Sequence, residues 1–332
     1  MSKHCGQGID VGYSNLKCKG DNAEGAGKFE MLLPVGCAPA ALLGQSLVGG
    51  SEKGIRVLVD GEEYVAGVTP DRFDKHVRDL HAEYTSSKSY RGLCHAALLQ
   101  SGNDVIDDLV TGLPVNQFKQ KKLRDALRDQ LQGEHEVAQG KVVTVKNVSV
   151  VPQPAGGFMD MIRRAGPIAE SLTSSSVLVV DPGFYSVDWV LVDRGDYRAD
   201  SCGTSTQASS VVLEAAVELI YDTFGKRTSV DRLEDEVRKS KPSFLVGGTS
   251  VEVAPILVAA SRKVAPLVIN EMRQKLRSEG VDSDCILLVG GGAKFYEQQI
   301  KEIYGEEKVL IANDPVMANA RGFWAISKSS VS

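Results

Sequence analysis

Ile9-Asp10-Val11-Gly12-Tyr13-Ser14-Asn15-Leu16-Lys17 and Val180-Asp181-Pro182-Gly183-Phe184-Tyr185-Ser186-Val187-Asp188 are two versions of one pattern. In each, an apolar run ends in a carboxylate, turns through glycine and small polar residues, and resumes as a strand. One such turn is an ordinary β-hairpin. Two of them, half a chain apart, imply two related halves that present similar loops. Glycine at the turn lets the backbone come close to a ligand, and successive N–H groups there form an anion-binding concavity. Phosphate suits such a loop. Ser14, Asn15 and Ser186 add side-chain donors, and Lys17 adds a point charge. A carboxylate beside a phosphate repels it unless a cation intervenes. Asp10 and Asp181 are therefore expected to support Mg2+ through its waters, because this ion dehydrates reluctantly. For either copy alone, an Asp that merely caps its turn is the competing reading.

The chain has 332 residues, which points to two domains or two lobes of one fold. With 42% apolar and 24% charged residues, the composition is that of a globular soluble protein. No apolar run approaches the length that spans a bilayer, and the first residues lack a signal-peptide core. A cytoplasmic location without membrane contact is the expectation. The six cysteines, Cys5, Cys18, Cys37, Cys94, Cys202 and Cys285, form no CxxC pair and read as buried free thiols. A net charge of −5 gives no broad attraction for nucleic acid, so direct binding to it is not expected.

The spacing predicts further elements. Residues 33–53, rich in Gly, Ala and Pro, read as a long surface loop, and 36–53 as a candidate contact surface. Ile55–Val59 and Glu63–Ala66 flank an Asp60-Gly61 turn, a strong hairpin signal. Helical patterns cover 89–100, 118–132, 158–172, 208–223, 230–239, 251–279 (with interruptions at Pro255 and Pro266) and 315–326. Strands are expected over 107–111, 142–151, 177–181, 285–289 and 309–312. The alternation argues an α/β protein with mixed sheets in which a hairpin opens each lobe. Gly290-Gly291-Gly292 after a strand is a third turn of the phosphate-loop kind. The GxGxxG and GxxxxGK[ST] signatures are absent, which counts against Rossmann and P-loop readings.

In this order the segments resemble the actin, Hsp70 and sugar-kinase superfamily along nearly the whole chain. Phosphate-1 resembles Asp10 to Lys17, the first connecting motif Gln153-Pro154-Ala155-Gly156-Gly157, and phosphate-2 Asp181 to Asp188. The adenosine motif resembles Leu288 to Ala293, and the second connecting motif Ala318-Asn319-Ala320-Arg321-Gly322. Within that superfamily the chain most resembles prokaryotic actin-like proteins of the ParM/StbA type and their archaeal relatives, through Asp-x-Gly-Tyr-x-Asn-x-Lys, Thr111-Gly112-Leu113-Pro114-Val115 and Asp181-Pro182-Gly183. The resemblance implies an α/β, actin-like (ribonuclease H-like) fold with two related α/β domains flanking a nucleotide cleft. Domain I would be 1–172 plus 313–332, and domain II 173–312. It also implies Mg-dependent ATP hydrolysis coupled to polymerisation, with the chain itself as partner and a DNA-bound adaptor linking filaments to plasmid DNA.

On that resemblance ATP or ADP, with GTP left open, and Mg2+ are the cofactors. Asp10, Gly12, Tyr13, Ser14, Asn15, Lys17, Asp181, Gly183, Phe184, Tyr185, Ser186, Gly290, Gly291 and Gly292 would contact the nucleotide. Asp10 and Asp181 would serve the metal. Gln153 would orient water, Asp181 hold the metal during hydrolysis, and Asp188 act as base or water-orienting group. The 230–239 helix is a candidate side of the base pocket. Ala318 and Gly322 read as small residues for close helix packing. Phe184 and Tyr185 stand where many members have Gly and Thr, which leaves the hydrolysis rate open. A small-molecule kinase of the same superfamily, with Asp188 activating the acceptor, and a non-catalytic ATP-gated scaffold are the competing readings.

Overall fold

A computed structural model describes residues 4–22, 27–44, 54–73 and 83–329. The chain forms two compact units, Met1–Gly166 with Met317–Ser332, and Pro167–Val316. The first unit begins with strands β1 (Gly6–Val11), β2 (Asn15–Asp21), β3 (Lys28–Pro34), β4 (Gly36–Pro39), β5 (Ile55–Val59) and β6 (Glu62–Val68). Helix α1 (Lys88–Ser101) leads to β7 (Val105–Leu113), then α2 (Val115–Phe118) and α3 (Lys121–Leu131). The hairpin β8 (Gly133–Ala138) and β9 (Lys141–Pro152) runs into α4 (Gln153–Arg164).

The second unit contains α5 (Ala169–Ser174), β10 (Ser176–Pro182), β11 (Val187–Asp193), β12 (Asp196–Tyr197) and β13 (Gly203–Ser205). It continues with α6 (Ser209–Phe224), α7 (Val230–Arg238), β14 (Ser243–Val246), β15 (Thr249–Glu252) and α8 (Val253–Ser278). Strand β16 (Cys285–Leu288), α9 (Ala293–Tyr304) and β17 (Val309–Ile311) complete it, and α10 (Ala318–Ser329) belongs to the first unit again.

The duplication seen in the hairpins extends to whole sheets. The first sheet has the order β3-β2-β1-β7-β9-β8, and the second β12-β11-β10-β16-β17. In each, the opening strand pairs antiparallel with its hairpin partner and parallel with the strand on its other side. The next pairing outward, β7 with β9 or β16 with β17, is parallel as well. Strand β1 is buried along its whole length, and β10 at every residue but Ser176. Burial on both faces is why β10 reads as a continuous apolar run, Val177–Val180, rather than as an alternating one.

The first unit closes on the last helix. Gly322 of α10 meets Gly156 of α4 so closely that a Cβ on Gly322 would stand 1.7 Å from the Gly156 carbonyl oxygen. Beside this contact the fully buried Phe323 ring lies against Gly112 of β7, where a Cβ would come within 2.5 Å of it. The Gly157 N–H donates to Asn319 Oδ1 at 3.1 Å and ties the same two helices by a buried hydrogen bond. Arg321 on α10 grips Glu30 of β3 with two donors, Nε to Oε1 at 3.0 Å and Nη2 to Oε2 at 2.9 Å.

Several expectations change. Residues 33–44, read as loop, contain the end of β3, strand β4 paired with β6, and a short 3-10 turn. Residues 45–53 lie outside the described residues. The helix expected from Phe158 begins at Gln153 and stops at Arg164, so the Gln153–Gly157 motif is itself the first turn of α4. Helix α10 starts at Ala318 rather than Pro315. Helix α8 is continuous: Pro255 falls in its first turn, where no N–H bond is needed, and Pro266 lies inside it. Val264, Ala265, Val268 and Ile269 around Pro266 are buried, and this packing outweighs the lost backbone bond. By length and composition α8 would also qualify as a membrane span, contrary to the reading of apolar runs. Its buried face nevertheless forms part of the core of the second unit. All six cysteines are free thiols, and burial pushes Cys18 up to about 12, which keeps it protonated and unreactive.

Two outcomes test this packing. Gly322→Ala forces a Cβ onto backbone that cannot yield as a side chain would, and should cost about 3 kcal/mol in denaturant unfolding. A loss below about 0.5 kcal/mol would contradict the contact. The Arg321 guanidinium, with help from Lys19, holds Glu30 at about 2, below its ordinary 4.5. Its contribution is therefore complete above pH 4.5 and is lost as pH falls toward about 2. Unfolding midpoints of wild type and Glu30→Gln should converge across that interval on acidification. A pH-independent gap would argue against the ion pair.

Candidate functional site

Both hairpins close with the same backbone bond. The Gly12 N–H donates to the Asn15 carbonyl at 3.0 Å, and the Gly183 N–H to the Ser186 carbonyl at 2.8 Å. Asp10 stands opposite Lys17 in one ladder, and Asp181 opposite Asp188 in the other. Directly opposed residues point to the same sheet face. Lys17 and Asp188 thus occupy equivalent positions with opposite charge.

In the first unit, Asp10 is 1% exposed, and its carboxylate would be costly to bury alone. Lys17 Nζ pairs with Oδ2 at 2.7 Å, and Gln153 Nε2 donates to Oδ1 at 3.1 Å. Gln153 reaches Asp10 because β9 runs straight into α4, and because Gly112 leaves space for its stem: a Cβ there would lie 2.9 Å from Gln153 Cγ. The Lys17 ammonium lies beside the turn, 3.4 Å from where a Gly12 Cβ would stand. Asn15 Nδ2 donates to Ser14 Oγ at 3.2 Å, and the Ser14 carbonyl accepts from the Val35 N–H at 3.2 Å. Tyr13 stacks on Tyr84 with ring centroids 4.8 Å apart, so its ring supports the loop from the side.

In the second unit, Ser186 Oγ donates to Asp188 Oδ2 at 2.6 Å, and Thr204 Oγ1 of β13 donates to Oδ1 at 2.6 Å. The Ser186 hydroxyl hydrogen is therefore directed at Asp188 and not outward, as the sequence suggested. Phe184 is buried, and its ring serves the core. Its carbonyl and that of Gly183 accept from the first N–H groups of α6, Ser210 at 2.9 Å and Ser209 at 3.2 Å. These bonds satisfy helix-end donors and hold the turn in shape. Tyr185 is half-buried.

The glycine run is stitched to this hairpin. The Gly292 N–H donates to the Pro182 carbonyl and the Gly290 N–H to the Pro315 carbonyl, each at 2.8 Å. Gly290 has a φ of 79°, and a Cβ there would stand 2.0 Å from Asp181 Oδ1, so no other residue fits. Gly291 is exposed, with nothing within 4 Å of its Cβ position. A cavity of about 400 Å3 opens beside the start of α9, lined among others by Val237, Lys241, Leu257, Lys294, Phe295 and Gln298.

Asp10, Gly12, Lys17 and Gln153 thus converge in the first unit, and Asp181, Ser186, Asp188, Gly290 and Gly292 in the second. Among the described residues no group of three or more His, Cys, Asp or Glu side chains forms a metal cage. The oxygen donors on the hairpins suit a hard, largely hydrated cation, with Asp181 better placed than Asp10, whose charge Lys17 already offsets. Sequence reasoning missed Thr204 and Lys294. The glycine run, two residues upstream, was a usable signal for Lys294. Thr204 sits on a three-residue strand with no periodicity to reveal it.

A duplicated sheet with paired carboxylate hairpins and a glycine-run turn defines the actin-like class of α/β protein. Comparison with known proteins agrees. The profile for the actin like proteins N terminal domain matches residues 8–156, and that for the archaeal actin homologue MreB-like C-terminal domain matches 179–302. The chain belongs to the actin-like protein family. Among solved structures it resembles Ta0583, an archaeal actin homolog, at 19% identity and TM-score 0.75, covering 97% of this chain and 99% of that one. The ADP complex of Ta0583 matches at 16% identity and TM-score 0.70, over 97% and 99% of the two chains. A 15-stranded ParM filament from Clostridium botulinum matches at 18% identity and TM-score 0.71, over 98% and 99%. No curated protein sequence matches.

The Asp10–Lys17 pair gives a direct test. Without nucleotide, Lys17→Met should destabilise the protein by about 3 kcal/mol, because it leaves a buried carboxylate without its cation. Adding Asp10→Asn to it should recover more than half of that loss. Simple additivity in the double-mutant cycle would show that the two side chains do not interact.

Proposed function

We propose that this protein is a nucleotide-dependent, filament-forming ATPase of the ParM/StbA type. The single observation that carries the reading is the repeated hairpin. Each unit ends a buried strand in a carboxylate, turns through glycine with the same backbone bond, and sets a second charged side chain opposite the first. The turns at Gly12 and Gly183 supply backbone donors for the phosphates, with Tyr13, Ser14, Asn15, Phe184, Tyr185 and Ser186 completing them. Lys17 supplies charge to the phosphates, and Gly290, Gly291 and Gly292 allow ribose and base to approach. The cavity beside Lys294 and Phe295 is the proposed base site, and its volume suits a purine.

Mg2+, when bound, would neutralise the phosphates, held through its waters by Asp181 with Asp10 contributing. Gln153 and Asp188 are the proposed water-orienting groups. A neutral amide is a poor base, but phosphoryl transfer depends chiefly on positioning and electrostatics. ATP is the proposed nucleotide, with GTP distinguished by assay.

Self-association into open filaments requires head-to-tail surfaces that do not close into a ring. Support comes from the likeness to the ParM filament. Cytoplasmic location and plasmid DNA as cargo are parts of the same proposal. With a net charge of −5, a DNA-bound adaptor is a better link to the cargo than the chain itself.

Sedimentation with ATP, ADP or no nucleotide, coupled to phosphate release, tests this reading. Pelleting should depend on ATP, and Asp181→Ala should abolish phosphate release. Absence of nucleotide-dependent pelleting over a range of salt and protein concentration would defeat the filament proposal. Release that needs an added sugar or metabolite would mark a kinase instead. An unchanged rate in Asp181→Ala would remove the metal role.

A further inference from the structure

Asp188 is 2% exposed, and its charge lies on the same sheet face as that of Asp181, the residue directly opposite. Like charges so placed repel, which favours rotation of one of them away. Two hydroxyl donors oppose that rotation. Ser186 Oγ reaches Oδ2 at 2.6 Å from within the hairpin turn, and Thr204 Oγ1 reaches Oδ1 at 2.6 Å from outside it. Thr204 lies on β13, which pairs antiparallel with β11 and sets Thr204 directly opposite Asp188. Asp188 is therefore flanked by Asp181 on one strand and Thr204 on the other.

We propose that Thr204 is a positioning residue for hydrolysis: through its hydroxyl it fixes the orientation of Asp188. The inference rests on the ATPase reading above. Each carboxylate oxygen accepts one of these hydroxyl hydrogens. So held, Asp188 presents its carboxylate to the attacking water in one orientation. In the step it assists, the water oxygen bonds to the γ-phosphorus and the bond to the bridging oxygen breaks. ADP leaves with that oxygen's electron pair, and the proton of the water passes to the phosphate product. Asp188 aims the water and is unchanged at the end. Thr204 acts through Asp188.

The chemistry separates two substitutions. Thr204→Val keeps the shape and removes the donor, so that Asp188 loses this hydrogen bond in a buried site. Thr204→Ser keeps the donor. Steady-state phosphate release against ATP concentration, with excess Mg2+, should show kcat for Thr204→Val lowered roughly tenfold, with KM within about twofold of wild type. Thr204→Ser should recover most of kcat. Circular dichroism and thermal melting establish that the variants are folded. If wild type hydrolyses ATP and Thr204→Val retains its kcat, the positioning role is overturned while the ATPase reading stands. A fall in kcat that Thr204→Ser shares equally would assign the effect to packing and overturn it too. If wild type releases no phosphate, the ATPase reading fails, and this inference with it.

Discussion

The contact between Gly322 and Gly156 is the constraint from which the first unit's site follows. Two helices that the chain separates by the whole second unit meet backbone to backbone, which only glycine permits. That approach seats Phe323 against β7 and fixes α4, whose first residue is Gln153. Gln153 in turn reaches Asp10 at the end of β1. A chain of close packing thus runs from the last helix to the carboxylate of the first hairpin. Loosening it at Gly322 would move a side chain of the candidate site that Gly322 never touches. Such action at a distance is expected of interiors packed like crystals.

The second constraint is electrostatic. Each hairpin buries a carboxylate, and the two halves compensate it differently. Lys17 lies across from Asp10 and offsets its charge within the protein. Asp188 lies across from Asp181 and doubles the negative charge, with hydroxyls from Ser186 and Thr204 holding the second group in place. One scaffold therefore yields one hairpin whose buried carboxylate is offset by a lysine and another in which two carboxylates stand opposite each other.

Much of this was legible in the sequence. The hairpins, the glycine run and the connecting motifs were readable because each needs particular residue types at fixed offsets, and β10 was readable as an apolar run. What stayed hidden was set by tertiary packing. Strands β4 and β13 are four and three residues long, too short for periodicity, and exist because a neighbour pairs with them. The β14–β15 hairpin turns at Gly247-Gly248, with φ of 54° and 84°, between two strands of four residues each, too short for a periodic pattern. Phe184 looked like a misfit in a phosphate loop, because sequence does not tell which way a turn residue points. Its ring is buried, so the loop departs from the family's usual residues without exposing a bulky group there.

The proposed function requires that this chain bind a magnesium–nucleotide complex. Calorimetric titration of ATP into the protein, with Mg2+ and again with chelator, tests it most directly. The account predicts one site per chain, with affinity at least about tenfold weaker when Mg2+ is removed, since the carboxylates then repel the phosphates without a mediator. Binding unaffected by chelation, or no binding at millimolar ATP, would contradict it.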